Sequence, residues 1–178
     1  MVKWFFIFLF GGIITIAVSL YFKLGAYRDV TVEIKTMPEM YFIYKKHYGA
    51  YHKISPVINS VETWALKNDI ECTTSFGAYL DDPKSTDEDR LRSEGGCITS
   101  NLIEPTKLPI DFAQKKVDSK KYVVANFEGS PAIGPFVVYP KVFEWAEKNR
   151  VQLVSPTIES YKINKDKVFT TYLFNISE

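Results

Sequence analysis

The chain has few of the residues from which metal sites and nucleophilic active sites are built. Its 178 residues include only two histidines, His47 and His52, and two cysteines, Cys72 and Cys97. The histidines are five positions apart, which does not match a helical i,i+4 ligand pair, and Cys72 is far from both. No Gly-x-Ser-x-Gly elbow is present. We therefore predict no metal site and no cofactor, and we favour a non-catalytic role.

An excess of charge of one sign is also missing. The chain has 22 Lys and Arg residues against 21 Asp and Glu residues. Only Lys3 precedes residue 23, so the rest of the chain carries 21 charged residues of each sign. Domains that bind nucleic acids normally present a basic surface. We therefore predict no nucleic-acid partner.

A long apolar run stands at the N-terminus. No charged residue occurs between Trp4 and Phe22, and a transmembrane helix needs roughly 20 such residues. The alternative is a cleaved signal peptide, but this run exceeds the usual apolar region of about 7–15 residues, and no A-x-A-like site follows it. We predict a transmembrane anchor over residues 1–23 and one folded domain over residues 24–178.

The anchor predicts a single-pass protein of the bacterial inner membrane, and its orientation is open. The short N-terminal tail favours a domain in the periplasm, which we predict, whereas Lys23, Arg28 and Lys35 outnumber Lys3 and favour the opposite side. In an exported domain the two cysteines can form a disulfide. Two buried free thiols are the alternative, because spacing alone cannot establish the approach that a disulfide requires.

The sequence after the apolar run contains an internal repeat. Residues Tyr41–Tyr79 and Tyr122–Tyr161 share one order: a β-type run reaching a glycine, an amphipathic segment with a tryptophan, and a second β-type run that ends in tyrosine. The glycine-to-tryptophan spacing is 15 residues in the first copy (Gly49 to Trp64) and 16 in the second (Gly129 to Trp145). The repeat predicts an α+β fold of duplicated β-α-β-β halves with pseudo-twofold symmetry.

Local signals place the helices and loops of this plan. Ser55-Pro56 predicts a helix start with Ser55 as the N-cap residue. In the second copy, Pro140 removes an interior hydrogen bond, so the helix is either kinked or begins near Tyr139. Asp81–Arg92 is a charged loop, and we expect Arg92 to hold its acidic residues Asp81 and Asp82.

Several short motifs resemble the GyrI-like, or SOUL-type, small-molecule-binding family. They are His47-Tyr48-Gly49-Ala50-Tyr51, Ala78-Tyr79-Leu80-Asp81-Asp82-Pro83 followed by Asp87 to Arg92, and Pro156-Thr157-Ile158-Glu159-Ser160-Tyr161. The resemblance covers roughly Val30 to Ile176. It implies an aromatic-lined cleft between the two halves, into which a glutamate projects and meets cationic, apolar ligands in members that bind drugs.

The glutamate role carries over to Glu159 alone, because the first copy has Gly77 at the equivalent position. A carboxylate among aromatic rings combines charge pairing with cation–π contact. Alternatively, Glu159 points to water or bonds a neighbouring tyrosine hydroxyl, and the aromatic residues are ordinary core. The candidate ligand-binding residues are Glu159, Tyr161, Tyr44, Tyr51, Trp64, Tyr79 and Trp145.

The function that these features predict is that of a membrane-anchored, non-catalytic binding protein. Its ligand is an amphipathic or cationic aromatic small molecule, held in the cleft between the repeats. A protein-interaction adaptor with a vestigial cleft is the alternative. Some relatives hydrolyse reactive xenobiotics with acidic residues, but this chain offers one placed carboxylate, which makes a hydrolase the weaker third hypothesis.

Overall fold

A computed structural model describes residues 2–164 and 167–177, with only the backbone described at residues 2–5, 7 and 8. The described chain has three α-helices and eight strands. In chain order they are α1 (Val2–Leu24), β1 (Thr31–Met37), β2 (Met40–Tyr48), α2 (Ser55–Lys67), β3 (Thr74–Tyr79), β4 (Arg92–Thr99), β5 (Ala113–Val117), β6 (Lys120–Glu128), α3 (Gly134–Asn149), β7 (Leu153–Asn164) and β8 (Lys167–Ile176).

The strands form one antiparallel sheet in the order β1-β6-β8-β7-β3-β4-β2-β5. The β3 and β7 strands pair at the centre of the sheet, and β1 and β5 form its two edges. The predicted α+β class is confirmed. The internal duplication of the sequence stays a prediction.

Both helices after α1 pack on one face of the sheet, here called the helix face. Val61 and Ala65 of α2 are buried with Ile43 of β2, and Val138 and Val142 of α3 are buried with β6 and β8 side chains. Apolar residues at these helical spacings form a stripe that loses contact with water on packing. The helix face therefore has two separate core clusters, one beneath each helix.

The opposite face of the sheet encloses a third core cluster. It includes Phe42 of β2, Phe76 of β3, Ile158 of β7 and Tyr122 of β6. Four strands separate β2 from β6 in the sheet, and neighbouring strands lie about 4.8 Å apart, so a flat sheet would hold these two strands roughly 24 Å apart. Because side chains from both strands share one cluster, the sheet curls around it.

The structure decides several local predictions. The α3 helix begins at Gly134 and continues through Pro140, which excludes the alternative of a start near Tyr139. Ser55 is already helical, and the N-cap residue of α2 is Ile54, which makes no side-chain cap. The edge strand β5 was not predicted, because its sequence Ala-Gln-Lys-Lys-Val lacks the alternation of a half-buried strand.

The predicted membrane anchor and the predicted location are wrong. Residues 2–24 do form a helix, and the first residue of the predicted anchor, Met1, lies outside the described residues. A membrane span requires a helix of about 20 predominantly apolar residues. Within the described part of the chain, no helix is both long enough and apolar enough to cross a membrane.

The two cysteines form a disulfide, so of the two alternatives the bridge is the one observed. Cys97 lies on β4, and Cys72 lies in the segment that leads into β3, with the two Cα atoms 5.3 Å apart. The bridge packs against Val61 and Ala65 of α2. It therefore fixes the entry to β3, the strand that forms one side of the central pair.

Candidate ligand-binding site

The two positions that the repeat distinguishes face each other at the centre of the sheet. In the β3·β7 ladder, Gly77 is paired directly with Glu159. Directly opposed residues of an antiparallel pair have their side chains on the same face. On its other side Glu159 is paired with Tyr172 of β8, which packs beneath α3. Glu159 therefore projects from the helix face of the central β3·β7 ladder.

The Glu159 carboxylate is buried, and its hydrogen-bond donors among the described residues are hydroxyl groups. Glu159 is 4% exposed. The Tyr139 hydroxyl of α3 donates to Oε1 at 3.0 Å, and the Tyr161 hydroxyl donates to Oε2 at 3.1 Å. The Tyr79 hydroxyl lies 2.9 Å from that of Tyr161. A glutamate that points to water is thus excluded, and bonding to tyrosine hydroxyls is observed.

Burial controls the protonation of this group. It raises the pKa of Glu159 from 4.5 to about 7, and the hydrogen bonds from Tyr139 and Tyr161 lower it only in part. Burial, reinforced by the neighbouring carboxylate, also raises the pKa of Tyr139 and Tyr161. These tyrosines therefore stay neutral hydrogen-bond donors at physiological pH, whereas Glu159 is divided between its acid and its carboxylate.

Aromatic rings surround the carboxylate on both sides. The Tyr139 ring lies 5.1 Å from that of Phe174 and 5.8 Å from that of Phe143. Across the ladder, the ring centroids of Tyr79 and Tyr51 are 4.8 Å apart in an edge-on contact. These are ordinary distances for aromatic pairs. Aromatic rings of the described chain therefore flank the buried carboxyl of Glu159.

Gly77 makes the arrangement possible because it leaves space above the ladder. A Cβ atom at this position would lie 3.0 Å from the Tyr79 hydroxyl oxygen and 3.2 Å from its Cζ atom. The Tyr79 side chain therefore folds back over the glycine. From there its hydroxyl reaches Tyr161 on the neighbouring strand.

The loop between β3 and β4 forms the rim of this region. The Tyr51 hydroxyl donates to the Asp81 carbonyl at 2.8 Å and accepts from the Asp81 amide at 2.9 Å. Arg92 binds the Asp81 carboxylate through Nε and Nη2, which confirms its predicted role for Asp81. Asp82 instead accepts from the backbone of Lys84. The Lys84 ammonium lies 5.8 Å from the centroid of the Phe143 ring on α3.

The structure brings together four of the predicted site residues: Glu159, Tyr161, Tyr79 and Tyr51. Tyr44 lies on the opposite face, in the core cluster with Phe42, because alternate residues of β2 point to opposite sides. That placement separates Tyr44 from Glu159 by the sheet itself.

The two tryptophans also lie apart from this group. The Trp64 ring is 5.0 Å from that of Phe112 and lines a separate open groove of about 610 Å³ with Asn68 and Ile70. Trp145 packs on the core cluster beneath α3. It is six residues after Tyr139, a rotation of roughly 240° around the helix, so the two side chains leave α3 in different directions.

Sequence reasoning missed Tyr139, which supplies one of the two hydrogen bonds to Glu159. A signal was present, since the predicted repeat aligns Tyr139 with Ile58: each precedes the tryptophan of its copy by six residues. A hydroxyl replaces an aliphatic group in the same copy in which a glutamate replaces a glycine. The two exchanges are complementary, because the new donor bonds the new acceptor.

We predict that Gly134→Ala destabilises the domain by about 1–3 kcal/mol, the usual cost of overfilling a packed site. A Cβ atom at residue 134 would lie 2.1 Å from the Tyr172 hydroxyl oxygen, and Tyr172 is fully buried. Adding Tyr172→Phe removes that oxygen, which has no hydrogen-bond partner among the described residues. The double variant should therefore recover most of the loss in urea unfolding. A loss of equal size in both backgrounds would contradict the prediction.

The sequence profile of the GyrI-like small molecule binding domain matches residues 31–174 of this chain. The match covers well over half of the chain, so the chain belongs to that family. The described fold is thus that of a GyrI-like small-molecule-binding domain. Among curated proteins, none matches this chain significantly.

Solved structures share the fold at low sequence identity. The C-terminal domain of EcmrR is 18% identical with a TM-score of 0.68, and the match covers 85% of this chain and 99% of that one. In a complex of EcmrR with DNA, the TM-score is 0.67 at 18% identity, and the match covers 84% of this chain but only 58% of the EcmrR chain. The likeness to EcmrR therefore shows the fold of this domain, and the predicted absence of a nucleic-acid partner stays a prediction.

Two further structures have the same fold at lower similarity. SAV2435 bound to tetraphenylphosphonium is 12% identical with a TM-score of 0.54, and the match covers 83% of this chain and 94% of that one. A hydrolase from Listeria innocua is 8% identical with a TM-score of 0.52, covering 82% and 92%. At these identities the comparisons show a common fold and nothing of the ligand.

Proposed function

We propose that this domain captures a lipophilic monocation with an aromatic body on the helix face of the central β3·β7 ladder. The observation that carries the proposal is the Glu159 carboxyl, buried among tyrosines, with no salt bridge in the described chain. A bound cation would supply the missing charge partner. Glu159, Tyr161, Tyr79, Tyr51 and Tyr139 are the proposed ligand-binding residues.

The chemistry of this set suits such a ligand. Aromatic faces attract cations, and the attraction increases when water is displaced. A buried carboxylate adds a charge interaction that a neutral ligand cannot use. The tetraphenylphosphonium bound to SAV2435 is itself a permanent cation with an aromatic body, and it supports the choice of probe for this chain.

The test is a calorimetric titration with methyltriphenylphosphonium and with triphenylphosphine oxide, a neutral molecule of similar shape. Glu159→Gln keeps the shape of the side chain and removes its charge. It should weaken binding of the cation by about 1–3 kcal/mol, or roughly 5-fold to 150-fold, because a charge-assisted contact is lost. Binding of the oxide should change much less.

Two tyrosine variants provide the matched control. Tyr161→Phe removes a hydroxyl that bonds Glu159 and should weaken cation binding, whereas Tyr44→Phe removes a hydroxyl on the opposite face of the sheet. We expect Tyr44→Phe to leave both affinities unchanged. Equal losses for the cation and the oxide in Glu159→Gln, or equal losses in the two tyrosine variants, would refute this site.

A hydrolase is the second candidate, and one observation favours it. A carboxyl whose pKa is about 7, held by two hydroxyl donors, has the properties of a general acid–base group. Mass spectrometry of the ligand recovered after titration with a reactive electrophile separates the two functions. Recovery of the intact compound supports capture, whereas steady turnover that is lost in Glu159→Gln supports hydrolysis. The adaptor hypothesis has no structural observation in its favour.

A further inference from the structure

Four tyrosines of the described chain interact with Glu159. Tyr139 of α3 and Tyr161 of β7 donate to its carboxylate, and burial, together with the charge of that carboxylate, raises the pKa of Tyr79 on β3 and of Tyr172 on β8. No lysine, arginine or histidine of the described chain forms an ion pair with Glu159. Lys84, on the rim, lies over the Phe143 ring.

Such surroundings favour an uncharged site in the absence of a ligand. Transferring an isolated carboxylate from water into a buried position is costly, and a buried acid avoids that cost by keeping its proton. Two neutral hydroxyl donors offset only part of the cost. A ligand that brings one positive charge into the same space reverses the preference, because it pairs with the carboxylate and not with the acid.

We propose that the buried carboxyl of Glu159, with Tyr139 and Tyr161, is an electroneutral exchange site, in which a lipophilic monocation enters as the acid form of Glu159 releases one proton to the solvent. This inference rests on the proposed function. The O–H bond of the acid breaks, its electron pair stays on the carboxylate, and the proton passes to the buffer. Where Glu159 is protonated before binding, the site holds no net charge before or after the exchange. Tyr139 and Tyr161 donate to the carboxylate that is formed.

The exchange predicts how different ligand classes bind. A permanent cation, such as a phosphonium or a quaternary ammonium ion, releases a proton on binding. A neutral amine that enters as its free base takes the Glu159 proton instead, so no proton reaches the solvent. A neutral molecule without a basic atom leaves the acid protonated. The number of protons released therefore distinguishes a permanent cation from the two uncharged ligand classes.

The experiment is calorimetry with methyltriphenylphosphonium in pairs of buffers that differ in ionisation enthalpy, at pH 6, 7 and 8. With a pKa of about 7 for Glu159, the number of protons released should be about 0.9 at pH 6, about 0.5 at pH 7 and about 0.1 at pH 8. The affinity should rise about tenfold from pH 6 to pH 8, because a smaller fraction of Glu159 is protonated before the cation binds.

Three variants assign the proton to Glu159. Glu159→Gln should bind the cation weakly, with no proton release and no dependence on pH in this range. Tyr139→Phe removes a donor to the carboxylate, so the midpoint of proton release should move to higher pH. Tyr172→Phe is the matched control, because its hydroxyl faces the same region without a hydrogen bond, and its midpoint should not move.

The outcomes separate this inference from the proposed function. If the natural chain binds the cation with no proton release at any pH, the exchange is refuted and cation capture stands. Proton release that persists in Glu159→Gln refutes the assignment to this residue. No cation binding at any pH refutes both the exchange and the function on which it rests.

Discussion

Without any ligand, Glu159→Gln should become more stable relative to the natural chain as the pH rises, by about 2–3 kcal/mol between pH 5 and pH 8. Burial raises the pKa of Glu159 in the folded state to about 7, from 4.5. Below pH 4.5 both the folded and the unfolded natural chain hold this proton, so the stabilisation is fully present. Between the two pKa values only the unfolded chain ionises, and the natural chain loses stability until the pH passes 7. Glutamine does not ionise and avoids the loss.

Urea unfolding of both chains at half-unit pH steps measures this difference. Glu88→Gln is the control, because Glu88 is exposed in the loop between β3 and β4. Its stability should follow that of the natural chain at every pH. A constant difference between Glu159→Gln and the natural chain across the range would show that the buried carboxyl keeps its ordinary pKa.

Gly96→Ala should cost at least about 3 kcal/mol, at or beyond the upper end for overfilled sites, because the obstruction is backbone. A Cβ atom at residue 96 would lie 2.1 Å from the Ile43 carbonyl oxygen and 2.8 Å from the Tyr44 Cα atom. Gly96 pairs with Tyr44 in the β2·β4 ladder. No side-chain rotation relieves the clash, so the strands must separate and weaken their hydrogen bonds.

The adjacent residue Gly95 lies on the same strand, so Gly95→Ala is a control that makes the same substitution one position away. A Cβ atom at residue 95 would meet the Cγ1 atoms of Ile58 and Ile54 at 2.8 and 3.1 Å, on the helix face. These are side-chain atoms that can shift, so Gly95→Ala should cost roughly 1 kcal/mol. Thermal unfolding of the two variants gives the comparison. Equal losses would mean that the β2 and β4 backbones can separate as readily as the isoleucines can shift.

The sequence allowed the relative placement of two candidate site residues to be predicted, because strand periodicity carries geometric information. Glu159 and Tyr161 are two residues apart on one strand, and so share a face. The exchange of Gly77 for Glu159 identified the position at which the two predicted copies of the repeat differ. The ladder then places those two residues opposite each other, a pairing that no pattern within one strand specifies.

What could not be predicted depends on pairing and on helix rotation. The two-residue alternation of a strand shows that Phe42 and Tyr44 share a face. Which face of the strand turns toward α2 is fixed by tertiary packing. That is why Tyr44 was assigned to the cleft and lies in the opposite core. Tyr139 was missed because its role depends on how α3 is rotated over β8. The β5 strand gave no signal, since an edge strand with two lysines needs little burial.

The order of the strands interleaves the two ends of the chain. β1 pairs with β6, so Thr31 lies beside Asn126, while β5 pairs with β2, which precedes it by more than sixty residues. Each edge strand is thus paired with a strand that is distant in the sequence. Closing such long loops slows folding. Neither half, expressed as a fragment, retains the partners of its own edge strand. The arrangement around Glu159 at the centre of the sheet therefore needs the complete fold, and a ligand bound there would stabilise all eight strands together.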